Sequence, residues 1–154
     1  MDRNTIVIGC DNAAVSMKDM LIEYLQKKGY SVENVGCDSS DDPTNYPSVA
    51  KHVCQNIIDS GYNKRGILVC GTGIGMAMSA NKFKGIRAAV CHDAYSAERS
   101  ALSNNANVLC MGARVIGSEL AKKIVDEWLP LEFKDGSSTP KVQEICGIEM
   151  ENFK

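Results

Sequence analysis

Five short apolar runs alternate with segments of helical period, and that alternation restricts the fold more than any other feature of the chain. "TIVIGC" (5–10), "SVENVG" (31–36), "GILVC" (66–70), "IRAAVC" (86–91) and "NVLCMG" (107–112) read as strands. After the first, Ala14, Met17, Leu21, Tyr24 and Leu25 recur at helical spacing and Gly29 stops the pattern. Val49, Val53, Cys54 and Ile57 mark a second helix. Residues 74–83 form a short third one, apolar on most sides and so expected to be buried, and 94–104 a fourth. Leu120, Ala121, Ile124, Val125 and Trp128 give a fifth stripe. Val142, Ile145, Cys146 and Met150 suggest a closing helix at about 140–153, weakened by Gly147. Strands that are apolar throughout must be covered on both faces. The expected fold is therefore α/β: a doubly wound parallel five-stranded sheet, a Rossmann-like three-layer sandwich. A length of 154 residues fits one domain, 1–154.

Charge and cysteine usage remove several function classes. The net charge is −2 with the signs interleaved, which argues against a nucleic-acid partner. No apolar run is long enough for a membrane span, and "MDRNTIVIG" leads into the first strand without a signal-peptide core. Seven cysteines, at 10, 37, 54, 70, 91, 110 and 146, form no C-x-x-C pair. With only His52 and His92 beside them, no metal site is expected. Reduced, half-buried thiols fit a cytoplasmic protein.

Sheets of this kind bind ligands at the carboxyl ends of their strands, where strand order reverses. With strand 1 between strands 2 and 3, Cys10-Asp11-Asn12 and Cys70-Gly71-Thr72 face one another there. The second group opens the loop "CGTGIG" (70–75). A dinucleotide fingerprint needs glycines at its first, third and sixth positions, but the sixth residue from Gly71 is Met76. A Walker A loop needs Gly-Lys-Ser or Gly-Lys-Thr, which is absent. What remains is a cradle in which the N–H groups of Gly71, Thr72, Gly73, Ile74 and Gly75 stabilise a bound or developing anion. A thiol beside a helix N-terminus ionises more readily, so Cys70 is a candidate nucleophile or general base, or else a packed thiol. His92, after the fourth strand, is placed to reach the cleft, whereas His52 falls within a helix. Asp11 is either a reacting acid or a helix cap.

Several segments together carry a resemblance to a known family. "GCDNAA", "NYP", "GILVCGTGIGMAMSANKFKGIRAAVC", "NNANVLCMGARVIG" and "EFKDG", in this order, resemble the ribose-5-phosphate isomerase B and galactose-6-phosphate isomerase family from Ile6 to about Lys141. The resemblance implies an aldose–ketose isomerase of a sugar phosphate that works through a cis-enediolate without metal or organic cofactor. It implies a homodimer or homotetramer whose active sites are shared between subunits. It makes Cys70 the base, Thr72 and the glycine loop the anion hole, and Asp11 the group that handles the hydroxyl proton. Asn104 and Arg114 become contacts from the partner subunit, Arg114 to phosphate. Asn12 becomes a further substrate contact, and Tyr46, in "NYP", is either another or a loop anchor.

The departures from the family pattern concern the substrate. The ribose-5-phosphate branch carries Asp-His after strand 1, where this chain has Asp11-Asn12. It carries His-Asn before the fifth strand, with the histidine opening the sugar ring, where this chain has Ser103-Asn104. Its Arg-His-x-x-Arg phosphate grip is matched here by Ser137, Ser138 and Lys141. Lys141 offers only a point charge in place of a bidentate guanidinium. Ribose 5-phosphate is the first expected substrate; galactose 6-phosphate, allose 6-phosphate or a tetrose phosphate, which needs no ring opening, are the alternatives. A non-catalytic sugar-phosphate-binding subunit with an unlike partner, and more weakly a nucleotide-binding domain, are the readings outside isomerase chemistry.

Overall fold

The computed structural model describes residues 4–154, so the first three residues of the expected 1–154 domain lie outside it. Five parallel strands stand in the order β2-β1-β3-β5-β4. The three central ones, β1 (Thr5–Cys10), β3 (Arg65–Cys70) and β5 (Val108–Gly112), are buried at every residue. Their unbroken apolar runs reflect that double cover. The edge strands β2 (Ser31–Asn34) and β4 (Ala88–Val90) are partly exposed, which explains why the first of them alternates in polarity.

Side chains leave the sheet on alternate faces. Ile6, Ile8, Cys10, Ile67, Val69, Leu109 and Met111 pack against α1 (Val15–Lys27), α4 (Ala94–Leu102) and α5 (Ser118–Trp128). Val7, Leu68, Cys70, Val108 and Cys110 pack beneath α2 (Tyr46–Asp59) and α3 (Ile74–Ala80). The result is a three-layer α/β sandwich. Each fully buried aliphatic side chain contributes about 1.5–3 kcal/mol to it. The helix layer on the second face sits close because the strands give way. A Cβ at Gly9 would stand 2.6 Å from Val49 Cγ1, and one at Gly66 would stand 2.8 Å from Val53 Cγ1. The strand order reverses between β1 and β3, which opens a crevice at their carboxyl ends.

Several elements differ from the sequence expectation, and four of them for a clear local reason. The strand expected at 31–36 ends as a regular strand at Asn34; Val35 N–H still donates to the Ile8 carbonyl at 2.9 Å, but Gly36, at φ 98°, turns the chain out of the extended conformation. The strand expected at 86–91 is Ala88–Val90. Side chains take the N–H groups at its start: Asn107 Oδ1 takes that of Arg87, and Asn81 Oδ1 that of Ala88, both at 2.8 Å. The third helix ends at Ala80 rather than 83, and it is not buried all round. Met76, Ala77 and Ala80 face the sheet, while Ile74 and Met78 are 56% and 65% exposed because the other side opens on the crevice. The closing helix, α6 (Thr139–Asn152), runs through Gly147 but buries only Val142. Ile145, Ile148 and Met150 stay exposed, since both sheet faces are already covered. Among the described residues no helix is long and apolar enough to cross a membrane.

Candidate active site

The crevice between β1 and β3 holds a cavity of about 360 Å³ lined by Asp11, Tyr46, Cys70, Gly71, Thr72, Ile74, Gly75, Met78 and Arg114. Residues spread over a hundred positions of sequence meet there because three parallel strands end side by side. Cys70 is the last residue of β3 and is 5% exposed. The chain then turns through Gly73, which adopts φ 79° as the cap of α3. The Met111 backbone lies 2.9 Å from where a Cβ on Gly73 would sit, so no side chain fits. That turn aims the Gly73 N–H back at Cys70 Sγ, at 3.1 Å.

This hydrogen bond separates Cys70 from the other thiols. Cys10, Cys54 and Cys91 sulfurs face the carbonyls of Cys37, Ala80 and Ala89 and can only donate to them. Burial pushes the Cys10 and Cys54 thiols up to about 12, and those of Cys91 and Cys110 upward as well. Cys70 sulfur instead accepts an N–H, that of Gly73.

The loop glycines do three different things. Gly73 makes the turn. Gly75 leaves room for Tyr46, since a Cβ there would run into the ring. Gly71 lies under the Arg114 guanidinium, with Nη1 at 3.3 Å from the same hypothetical atom. Not all loop N–H groups are open. Gly73 N–H is spent on Cys70, and Ile74 N–H donates to Thr72 Oγ1 at 3.3 Å. The N–H groups of Gly71, Thr72 and Gly75 have no hydrogen-bond partner among the described residues.

Asp11 does not cap α1, whose N-cap is Ala14. Its Oδ1 accepts the Ala13 N–H at 3.0 Å, which fixes the carboxylate at the cavity wall. Arg114 reaches the cavity from its own chain. Its N–H donates to the Gly71 carbonyl at 3.0 Å, so no second subunit is needed to bring it there. Met78, one turn after Ile74, was not singled out from sequence. Its i, i+4 relation to Ile74 was the available signal.

Six other candidates lie outside this cavity. Asn12 is turned away, its Nδ2 donating to the Asp42 carbonyl at 3.0 Å. His92 Nε2 accepts the Gly112 N–H at 2.9 Å, so it braces the end of β5 rather than facing the cleft. Ser103 Oγ accepts from Arg99 Nε at 2.9 Å, and Asn104 lines a separate groove beside α6. Ser137 and Lys141 are exposed at the start of α6. Among the described residues no three His, Cys, Asp or Glu side chains converge as metal donors.

Residues 6–145 match the Ribose/Galactose Isomerase family. The chain is 51% identical to D-erythrulose-4-phosphate isomerase of Pectobacterium atrosepticum over 92% of both chains. It is 42% identical to ribose-5-phosphate isomerase B of Escherichia coli, covering 94% of this chain and 95% of that one. The solved structure of Clostridium thermocellum ribose-5-phosphate isomerase B superposes with a TM-score of 0.90 at 39% identity, over 96% of this chain and 98% of the other. With the fold, the glycine loop and the crevice in agreement, the chain belongs to the ribose/galactose isomerase family and is an aldose–ketose isomerase of sugar phosphates.

Proposed function

We propose that the enzyme interconverts D-erythrulose 4-phosphate and D-erythrose 4-phosphate, with Cys70 as the carbon base. The observation that carries the catalytic part is the Gly73 N–H to Cys70 Sγ hydrogen bond in a cavity that also holds Arg114 and Asp11. A thiolate there takes a proton from C1 of the ketose and returns one to C2. One base serves both carbons because they are adjacent, within about 3 Å of a single sulfur. Removing the proton leaves a cis-enediolate whose oxygen charge the free N–H groups of Gly71, Thr72 and Gly75 stabilise. Asp11 carries the hydroxyl proton between O1 and O2. Arg114 holds the phosphate through a charge-assisted pair. Tyr46, Ile74 and Met78 wall off water.

The choice of a four-carbon substrate rests on chemistry and on the relatives. Sequence expectation put ribose 5-phosphate first. In a tetrose 4-phosphate O4 is esterified, and attack by O3 on C1 would close a strained four-membered ring. The aldose therefore stays open-chain, and an enzyme for it needs no ring-opening histidine. Ser103 stands at that position here. The relative named for D-erythrulose 4-phosphate is 51% identical, against 42% for the Escherichia coli enzyme named for ribose 5-phosphate.

Residues 1–154 act as one domain in a homodimer or homotetramer. A second copy would cover the exposed Ile74, Met78 and Val115 and bring Asn104 and Lys141 to the substrate. The test is the ratio of kcat/KM for D-erythrulose 4-phosphate to that for ribose 5-phosphate. A ratio above about 100 supports the tetrose reading. A ratio below one returns the assignment to the pentose.

A further inference from the structure

At its carboxyl end β5 outruns β4. Val90, the last residue of β4, pairs with Cys110, and β5 continues to Gly112. Past that pair, Cys91 N–H still donates to the Cys110 carbonyl at 3.0 Å. The next N–H of β5 on that side belongs to Gly112, and a buried backbone N–H needs an acceptor. His92 supplies it with a side chain, Nε2 accepting at 2.9 Å. A backbone N–H can only donate, so Nε2 presents its lone pair and the proton of the neutral ring sits on Nδ1. The backbone is fixed on both sides of this imidazole. Cys91 is tied to β5, and Asp93 caps α4, its carboxylate accepting the Ser96 N–H and hydroxyl, both at 2.7 Å.

What the imidazole holds leads into the isomerase cavity. Gly112 packs backbone against backbone on the glycine loop, since a Cβ there would stand 2.6 Å from Thr72 Cα. The residues that follow grip the end of β3. Ala113 N–H donates to the Cys70 carbonyl at 2.9 Å and Arg114 N–H to the Gly71 carbonyl at 3.0 Å. Val115 N–H closes the turn on the Gly112 carbonyl at 3.0 Å. The Arg114 side chain then lies over Gly71 at the cavity wall. On the β3 side backbone bonds tie this turn, and on the β4 side the tie is the His92 ring. A small shift of the strand end is magnified at the tip of a long side chain, where a bidentate phosphate contact tolerates little displacement.

We propose that His92 is a positioning residue of the isomerase: by accepting the Gly112 N–H it sets the turn at 112–114 and aims Arg114 at the substrate phosphate. This rests on the assignment of Arg114 to phosphate made above. His92 itself touches no substrate atom, so its effect falls on binding rather than on the proton transfer at Cys70.

A double-mutant cycle tests this. It is run with whichever of D-erythrulose 4-phosphate and ribose 5-phosphate the wild type turns over faster, so the outcome does not depend on the tetrose assignment. His92→Leu removes the acceptor and should raise KM about five- to tenfold, with kcat within about twofold of wild type. His92→Gln, whose side-chain carbonyl can accept the same N–H, should return KM to within about twofold. In an Arg114→Met background, His92→Leu should change KM by less than about twofold, because the group it aims is gone. His92 is only half-buried, so His92→Ala carries the same expectations if His92→Leu fails to fold. An unchanged KM in His92→Leu, a glutamine variant as impaired as the leucine one, or the full His92→Leu effect on top of Arg114→Met would overturn the proposal and leave the Arg114 assignment standing. An unchanged KM in Arg114→Met alone would overturn both.

Discussion

Cys10 closes β1 and Cys70 closes β3, two adjacent parallel strands of the same apolar character. Their side chains leave opposite faces of the sheet, and the loops after the two strands differ. Cys10 Sγ faces the Cys37 carbonyl at 3.4 Å, and burial holds its thiol near 12 despite the opposing pull of the Lys18 ammonium. Cys70 Sγ receives an N–H at 3.1 Å and opens on a cavity that holds a guanidinium. The difference lies in the three residues after the cysteine. Asp11-Asn12-Ala13 turns into α1 without bending an N–H back to the sulfur, whereas Gly71-Thr72-Gly73 does so through a left-handed glycine. A strand-end cysteine thus becomes a candidate base through the loop that succeeds it.

The largest expected effect breaks the pair outright. Cys70→Ala should lose about 10³–10⁴-fold in kcat, the upper range for a general base. Cys10→Ala should leave kcat within about threefold and cost about 1–3 kcal/mol of stability from the lost packing, read by urea denaturation. Next, Gly73→Ala keeps the thiol but strains the loop and drives a Cβ against the Met111 backbone. It should lower kcat by about 10² and stability by about 1–3 kcal/mol. Arg114→Met tests the guanidinium of the cavity on the Cys70 side. It should raise KM about tenfold or more with little change in kcat.

The smallest effect concerns pH. Burial raises the folded-state value for Cys10 and Cys54 to about 12 from an ordinary 9.0. Above pH 9 the unfolded chain releases these protons and the folded chain does not. Stability from these thiols is therefore complete below pH 9 and falls as pH rises toward 12. The slope of urea midpoint against pH in that window should flatten in Cys10→Ala. An unchanged slope would contradict the contrast drawn between the two cysteines.

The parts of the molecule that were legible in sequence are those that depend on local pattern. β1, β3 and β5 are buried throughout and read as unbroken apolar runs, and the glycine loop declares a turn that exposes N–H groups. Less legible was anything decided by the residues across the gap. α3 looked buried because its composition is apolar, but one of its sides is a cavity wall, so Ile74 and Met78 are exposed. The resemblance placed Arg114 on the partner subunit, whereas the turn from Gly112 ties it to the Gly71 carbonyl of its own chain. His92 sits two residues past β4, where a catalytic or a bracing role fits equally. Only the Gly112 N–H in front of its Nε2 distinguishes them.

The central claim, that Cys70 moves the carbon-bound proton, is tested most directly by solvent exchange. Enzyme and D-erythrulose 4-phosphate are incubated in deuterium oxide, and loss of the C1 proton signal is followed by NMR. Wild type and Cys10→Ala are expected to exchange C1 hydrogen with solvent. Asp11→Asn is expected to retain measurable exchange with slower isomerisation, and Cys70→Ala to show neither. Exchange at C1 in Cys70→Ala at a rate near that of wild type would contradict the assignment.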